Sequence, residues 1–309
     1  MEHISTIVEK TYMSQDNPIS SGFKLIDDVI GGYYPGQLTT VCGDENCGKS
    51  AFTIAQLNHI AVDQHVPTLL VMSNMSERIF LACMAAYYCS IETGNINNVL
   101  TAEKHSQAVN AYLEKLKEAP LFILDAAGKT EAFVNEMLEE MIATHGIKIV
   151  FVDEVCQYYD YSTTKRNIIN CYKSLALRMN IPVVVTCCVW NDRDGIECAR
   201  PALRDFFFYN EIHGSDTVIG LIRYGDYGIR VDEHGRDLKD TIGLEILKCK
   251  GRLVNRRFYL PWGYLFLKEY ADRENSVLEY FRKSSGYKID TLINEFGLIE
   301  CNSDETHIH

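Results

Sequence analysis

The stretch Leu38-Thr39-Thr40-Val41-Cys42-Gly43-Asp44-Glu45-Asn46-Cys47-Gly48-Lys49-Ser50 decides the fold. Its first part is a run of apolar and β-branched residues, which predicts a buried strand over 38–42. From Lys49 to about residue 63 the apolar side chains recur with helical spacing. Between strand and helix, Gly43-x-x-x-x-Gly48-Lys49-Ser50 has the spacing of a loop that cradles phosphates. Gly43 and Gly48 allow the tight turn, and the backbone N–H groups of Asn46, Cys47 and their neighbours then point at one centre. The helix starting at Lys49 adds the positive end of its dipole. In this pattern Lys49 reaches the β- and γ-phosphates of a nucleoside triphosphate, and the Ser50 hydroxyl ligates magnesium. A chance match in a glycine-containing turn would not be expected to carry a strand before it and a helix after it.

Outward from the loop, strand-like apolar runs recur at 68–72, 121–124, 147–152 and 181–188. Helical patterns lie between them at 76–89, 102–119, 130–144 and 164–179. Strands alternating with helices imply right-handed crossovers and a mostly parallel sheet covered on both faces. The run Ile147-Lys148-Ile149-Val150-Phe151-Val152 ends in Asp153 and Glu154. A carboxylate there can hold the water shell of magnesium, although an Asp at a strand end is by itself equally a turn residue. After Cys188 the pattern changes. Residues 190–215 are irregular and charged, with Phe206-Phe207-Phe208-Tyr209 inside them. Further strands are expected at 217–223, 241–250, 257–260 and 264–267, with a polar insert near 226–239 that resembles a hairpin tip. Two short amphipathic helices are expected at about 275–282 and 289–296.

With 309 residues, 47% hydrophobic and 23% charged, the chain can bury the core of one large α/β domain with appendages. A formal charge of −12 excludes a surface coated in basic residues. Nucleic-acid contact must come from local Lys/Arg clusters, or be absent. The eleven cysteines form no CxxC pair, and Cys42, Cys83, Cys187 and Cys188 sit in apolar runs. That usage points to a reducing, cytoplasmic setting rather than a disulfide framework. No stretch approaches the roughly 20 apolar residues of a membrane span, and the N-terminus lacks the pattern of a secretory signal. His307 and His309 near the end lack the further partners a metal site needs.

Ser21-Gly22-Phe23-Lys24-Leu25-Ile26-Asp27-Asp28-Val29-Ile30-Gly31-Gly32, followed by Pro35-Gly36-Gln37-Leu38, resembles the lead-in of RecA-like ATPases. From about residue 19 to 270 the chain is similar to the C-terminal motor domain of the DnaB-type replicative DNA helicase. The similar pieces occur in the same order. They begin with Ser76-Glu77-Arg78-Ile79 after the second strand, Leu124-Asp125-Ala126-Ala127-Gly128-Lys129-Thr130 and the strand end at Asp153. Asn180-Ile181-Pro182-Val183-Val184, Arg200-Pro201, Ser215-Asp216 and Lys248-Cys249-Lys250 follow.

The resemblance implies a RecA-like P-loop NTPase core, α/β, with a mostly parallel central sheet, helices on both faces and extra C-terminal antiparallel strands. It implies an arm over 1–18, an ATPase/helicase domain over 19–270 and a helical extension over 271–309. It also implies ATP with Mg2+, a homo-oligomer in the form of a hexameric ring with nucleotide at subunit boundaries, and single-stranded DNA in a central channel. A primase or loader is an implied partner. Lys248 and Lys250 fall where the family reaches the neighbour's γ-phosphate; the alternative is a solvated strand edge. Lysine neutralises phosphate charge but lacks the bidentate fork of arginine. Arg193, Arg200 and Arg204 fall in a channel-lining region as DNA phosphate contacts, or are ordinary solvated surface. The aromatic run beside them is either a stacking platform or core packing.

Three departures bear on catalysis. The family's water-activating glutamate at the end of the second strand falls on Asn74 or on Ser73, depending on which flank is counted from. Neither is a base at neutral pH. Its glutamine at the end of the strand after Pro182 falls on Cys188. Its primase-recruiting N-terminal domain has no counterpart in residues 1–18. Glu154 either takes over the orientation of the attacking water or is a structural carboxylate. Two functions are therefore carried forward: an ATP-driven DNA helicase or translocase, and an ATP-binding oligomer or regulatory module with little hydrolysis. A recombinase-like or clock-like RecA relative would share the core but not the Lys248-Cys249-Lys250 strand.

Overall fold

The computed structural model describes residues 3–4, 17–91, 96–103, 106–155, 168–188, 214–231, 238 and 241–261. Arg193, Arg200, Arg204, the aromatic run at 206–209, the strand expected at 264–267 and both expected C-terminal helices lie outside these residues, as does most of the arm at 1–18.

Eight strands form one sheet: β1 Leu38–Gly43, β2 Thr68–Met72, β3 Leu121–Asp125, β4 Ile149–Asp153, β5 Val183–Cys188, β6 Thr217–Arg223, β7 Thr241–Cys249 and β8 Arg252–Pro261. Their order is β3-β2-β4-β5-β1-β6-β7-β8. The first six pair in parallel, and β7 and β8 close the far edge in antiparallel register. The helices are α1 Lys24–Ile30, α2 Lys49–Leu57, α3 Glu77–Tyr88, α4 Ser106–Glu118, α5 Glu131–His145 and α6 Ile168–Met179.

Alternate residues of the central strands point to opposite faces, and each face has its own core. Leu69, Val71, Val150, Val152, Val183 and Val185 pack with α5 and α6. Leu70, Met72, Ile149, Phe151 and Val184 pack with α1, α2, α3 and α4. A sheet covered on both sides has no wet face, which is why its strands read as continuous apolar runs.

Two differences in extent from expectation have a clear physical reason. The helix after the loop is α-helical only to Leu57 and continues as a π-helix, Asn58–Asp63. The buried Asn58 amide sits at the switch, donating to Ile54 O at 3.1 Å and accepting from Tyr112 Oη at 2.8 Å. The strand expected at 257–260 begins at Arg252. Its arginines hid it from an apolar pattern, but it is an edge strand, where charge is tolerated.

Parallel pairing brings the carboxyl ends of β1, β4 and β5 to one end of the sheet. Gly43 pairs with Cys188, and Met72 of β2 pairs with Asp153. At the opposite end Asp216 ties the strand starts together. Its Oδ2 accepts from Leu38 N and from Lys173 Nζ, each at 2.7 Å, and Lys173 also donates to Gly36 O at 2.8 Å.

Gly43 is the tightest point. A Cβ there would meet Cys47 Sγ and the Leu221 carbonyl oxygen of β6. Gly43→Ala is expected to destabilise the chain by about 1–3 kcal/mol, the usual range for overpacking. Urea unfolding checks this; an unchanged midpoint would mean that the loop yields instead.

Candidate active site

Gly43 ends β1 and Lys49 opens α2, so residues 44–48 must reverse the chain. Asn46 (φ 59°) and Gly48 (φ 104°) do so in the left-handed region, which Asn and Gly tolerate best. Gly48 caps α2 without a side-chain bond, and an uncapped helix start following such a turn favours anions. Lys49 N–H is turned onto the Cys47 thiol, which burial pushes up to about 11.

Lys49 is buried at the mouth of this loop. Its Nζ donates to Asp44 O at 2.9 Å, to Gly43 O at 3.2 Å and to Cys188 Sγ at 3.2 Å, and stands 3.9 Å from Glu154 Oε1. Burial pulls its pKa down, but Cys47, Cys188 and Glu154 outweigh burial and hold it above the usual lysine value. Cys188 is itself pushed up to about 12, first by burial and then by donating its S–H to Glu154. Both thiols are therefore protonated at neutral pH, and Glu154 is the anion facing the ammonium.

Asp153 ends β4 and is 9% exposed. Thr186 Oγ1 of β5 donates to its Oδ1 at 2.7 Å, and the Ser50 hydroxyl also hydrogen-bonds its carboxylate. Burial pushes its pKa above the ordinary carboxylate value. A hydroxyl and a carboxylate meeting at one point are hard oxygen donors that fit Mg2+, which needs few protein ligands when phosphates and water supply the rest. Among the described residues no group of three or more His, Cys, Asp or Glu side chains could hold a metal by itself.

Glu154 Oε2 accepts from Asn74 Nδ2 at 3.4 Å, and Ser73 Oγ donates to Asn74 Oδ1 at 3.0 Å. Of the two residues left open at the end of β2, Asn74 is thus the one that reaches Glu154. Gly43, Asn46, Cys47, Gly48, Lys49, Ser50, Asp153 and Glu154 all come together at this end of the sheet.

Lys248 and Lys250 do not. Antiparallel β7 carries them towards the other end: Lys248 lies opposite Val218, which is level with Thr40 rather than Gly43. Lys248 Nζ donates to Ser215 O at 2.6 Å, and burial lowers its pKa. Lys250 sits in the turn after β7 with φ 48°, its Nζ 4.7 Å from the centroid of the Tyr34 ring. Neither lysine takes part in its own chain's loop. Thr186 was missed in the sequence. Its signal was there, as the first hydroxyl at the end of Val183-Val184-Val185.

Sheet order, the loop between β1 and α2 and the carboxylate on β4 define the RecA-like class of P-loop ATPase folds. Residues 18–248 match the family model of the DnaB-like helicase C terminal domain, and the chain belongs to that family. It is 24% identical over 251 residues to the replicative DNA helicase DnaB of Rickettsia typhi, covering 74% of this chain and 50% of that protein. It is 23% identical over 193 residues to DnaB of a Nostoc strain, covering 60% and 22%. The chain thus spans about half the length, or less, of these relatives. Among solved structures, an isolated ATPase domain superposes with a TM-score of 0.69 at 18% identity, over 87% of this chain and 95% of that one. A DnaB-like replicative helicase, described with its interactions with primase, superposes with a TM-score of 0.68 at 16% identity, over 86% and 66%. No helix among the described residues is long and apolar enough to cross a membrane.

Because Asp153 binds its proton more tightly folded than unfolded, its charge works against folding as pH rises through and above the ordinary carboxylate range. Asp153→Asn is therefore expected to raise the melting temperature at neutral pH. The gain should vanish in acid below that range, where the aspartate is protonated in both states. Melting curves across pH check this; no gain at neutral pH would contradict it.

Proposed function

We propose that this chain is the ATP-driven motor of a DnaB-like hexameric DNA helicase or translocase, binding MgATP at subunit interfaces and single-stranded DNA in a central channel. The observation that carries this reading is the meeting of the Ser50 hydroxyl and the Asp153 carboxylate beside the buried Lys49 ammonium. The loop amides and Lys49 hold the phosphates, and Ser50 and Asp153 hold the metal. Mg2+, when bound, neutralises charge on the phosphate oxygens. Glu154 orients the attacking water. Lys248 and Lys250 are remote from their own loop, which supports assigning them to another copy's nucleotide in a ring with action in trans. Arg193, Arg200 and Arg204 are assigned to DNA phosphates, residues 19–270 to the motor, and 1–18 and 271–309 to an arm and an extension. A primase or loader is the expected partner, in the cytoplasm.

A second reading has its own observation. Asn74 and Cys188 stand at the ends of β2 and β5, and Glu154 is engaged by Lys49, Cys188 and Asn74 together. A carboxylate held in this way suits an ATP-binding oligomer or regulatory module with weak turnover.

Steady-state ATPase assays with and without single-stranded DNA separate the two. A motor shows DNA-stimulated hydrolysis, abolished by Lys49→Ala and reduced on the order of 100-fold by Glu154→Gln, as expected for a water-orienting group. Tight MgATP binding without hydrolysis above background would overturn the motor and leave the module.

A further inference from the structure

Antiparallel β7 and β8 are joined by the turn Lys250-Gly251, which lies between the paired residues Cys249 and Arg252. Both turn residues are in the left-handed region, with φ 48° and 80°. That is the pattern of a type I′ hairpin, whose first position is normally Asn, Asp or Gly. A lysine there holds a strained backbone, and such strain points to a role for its side chain. The turn is fastened at its base. Gly251 N donates to Asp216 O at 3.1 Å, Lys248 Nζ to Ser215 O at 2.6 Å, and Cys249 Sγ to Val29 O at 3.8 Å. Lys250 itself is exposed, and its Nζ lies 4.7 Å from the centroid of the half-buried Tyr34 ring. That ring is backed by the turn at Gly31, where a Cβ would come within 2.8 Å of the Tyr34 hydroxyl oxygen.

We infer that Tyr34 is a positioning residue for Lys250, holding its ammonium at the tip of the β7–β8 turn for a phosphate of the neighbouring copy's nucleotide. The inference rests on the reading of a ring with action in trans, and narrows it to one of the two lysines. An aromatic face attracts an ammonium through its quadrupole. Unlike a carbonyl or a carboxylate, it leaves the N–H donors on the side turned away from the ring unused. A phosphate arriving from solvent is then met by donors that are already aimed. A lysine side chain also loses rotamer freedom when it binds, and the ring removes part of that loss in advance. Lys248 is built differently. Its ammonium is engaged by the Ser215 carbonyl, and burial makes its charge harder to keep. It acts as a strut under the turn, and Lys250 as the group at its end.

The test is steady-state hydrolysis of MgATP with single-stranded DNA, fitted for kcat and KM. Lys250→Ala should lower kcat on the order of 100-fold, the scale of one lost transition-state donor. Tyr34→Leu loosens the lysine without removing it, and should lower kcat roughly tenfold with KM within about twofold. Tyr34→Phe keeps the ring face and should recover kcat to within about twofold of wild type. In a Lys250→Ala background, Tyr34→Leu should have no further effect, because the two side chains act as one unit. A loss that persists in that background would make the ring a packing residue only and overturn the inference. So would a full rate in Lys250→Ala, or a loss of roughly tenfold in Tyr34→Phe, which stands even if the leucine chain does not fold. A wild-type chain without DNA-stimulated hydrolysis would overturn the motor reading and the inference with it.

Discussion

A carboxylate buried to the depth of Asp153 is costly to keep charged unless hydrogen-bond donors reach it. Here they come from two directions, Thr186 on β5 and Ser50 at the start of α2. That pair of contacts fastens β4, β5 and the phosphate loop into one unit. The sheet order serves it. β5 lies between β4 and β1, so both the carboxylate and the loop flank the same strand. Parallel pairing then brings Gly43, Asp153 and Cys188 out at the same end. Burial still raises the aspartate's pKa after both donors are counted. The site therefore holds a carboxylate whose charge is under-compensated, which is the condition that favours a divalent cation.

The same constraint shapes the surroundings of Lys49. Its charge is as deeply placed, and its close partners are two carbonyls and a thiol. Its carboxylate, Glu154, is kept at a longer distance. The opposite end of the sheet is arranged for rigidity, with Asp216 and Lys173 tying the starts of β6 and β1 to α6. The division is physical: polar groups at one end are paired into a frame, and those at the other are left to be completed by what binds. In the proposed ring, the turn after β7 supplies part of that completion from the neighbouring copy, a head-to-tail contact of the kind that closes a cyclic assembly.

Much of this was legible in the residues. The loop could be read because its chemistry needs glycines, a lysine and a hydroxyl at fixed spacing between a strand and a helix. Asp153 could be read because it ends an apolar run. The two-faced core could be read because unbroken runs such as Val183-Val184-Val185 belong to strands buried on both sides. What was not legible depends on register and distance. Which of Ser73 and Asn74 meets Glu154 is set by how β2 lies against β4, and counting from either flank gives opposite answers. Cys188 read as the loss of a polar group, because its bridge to Lys49 and Glu154 exists only once β5 is paired with β1. The arginines of β8 concealed the start of a strand, since the solvent-facing edge relaxes the apolar pattern that identifies one.

Metal-linked nucleotide binding is the property that follows most directly from the Ser50–Asp153 contact. Isothermal titration of a non-hydrolysable ATP analogue into the wild-type chain, in Mg2+ and then in chelator, measures it. Saturable binding that weakens sharply when the metal is withdrawn is the expected result. Binding of equal strength with and without Mg2+ would contradict the assignment of Ser50 and Asp153, and with it the proposed chemistry of this end of the sheet.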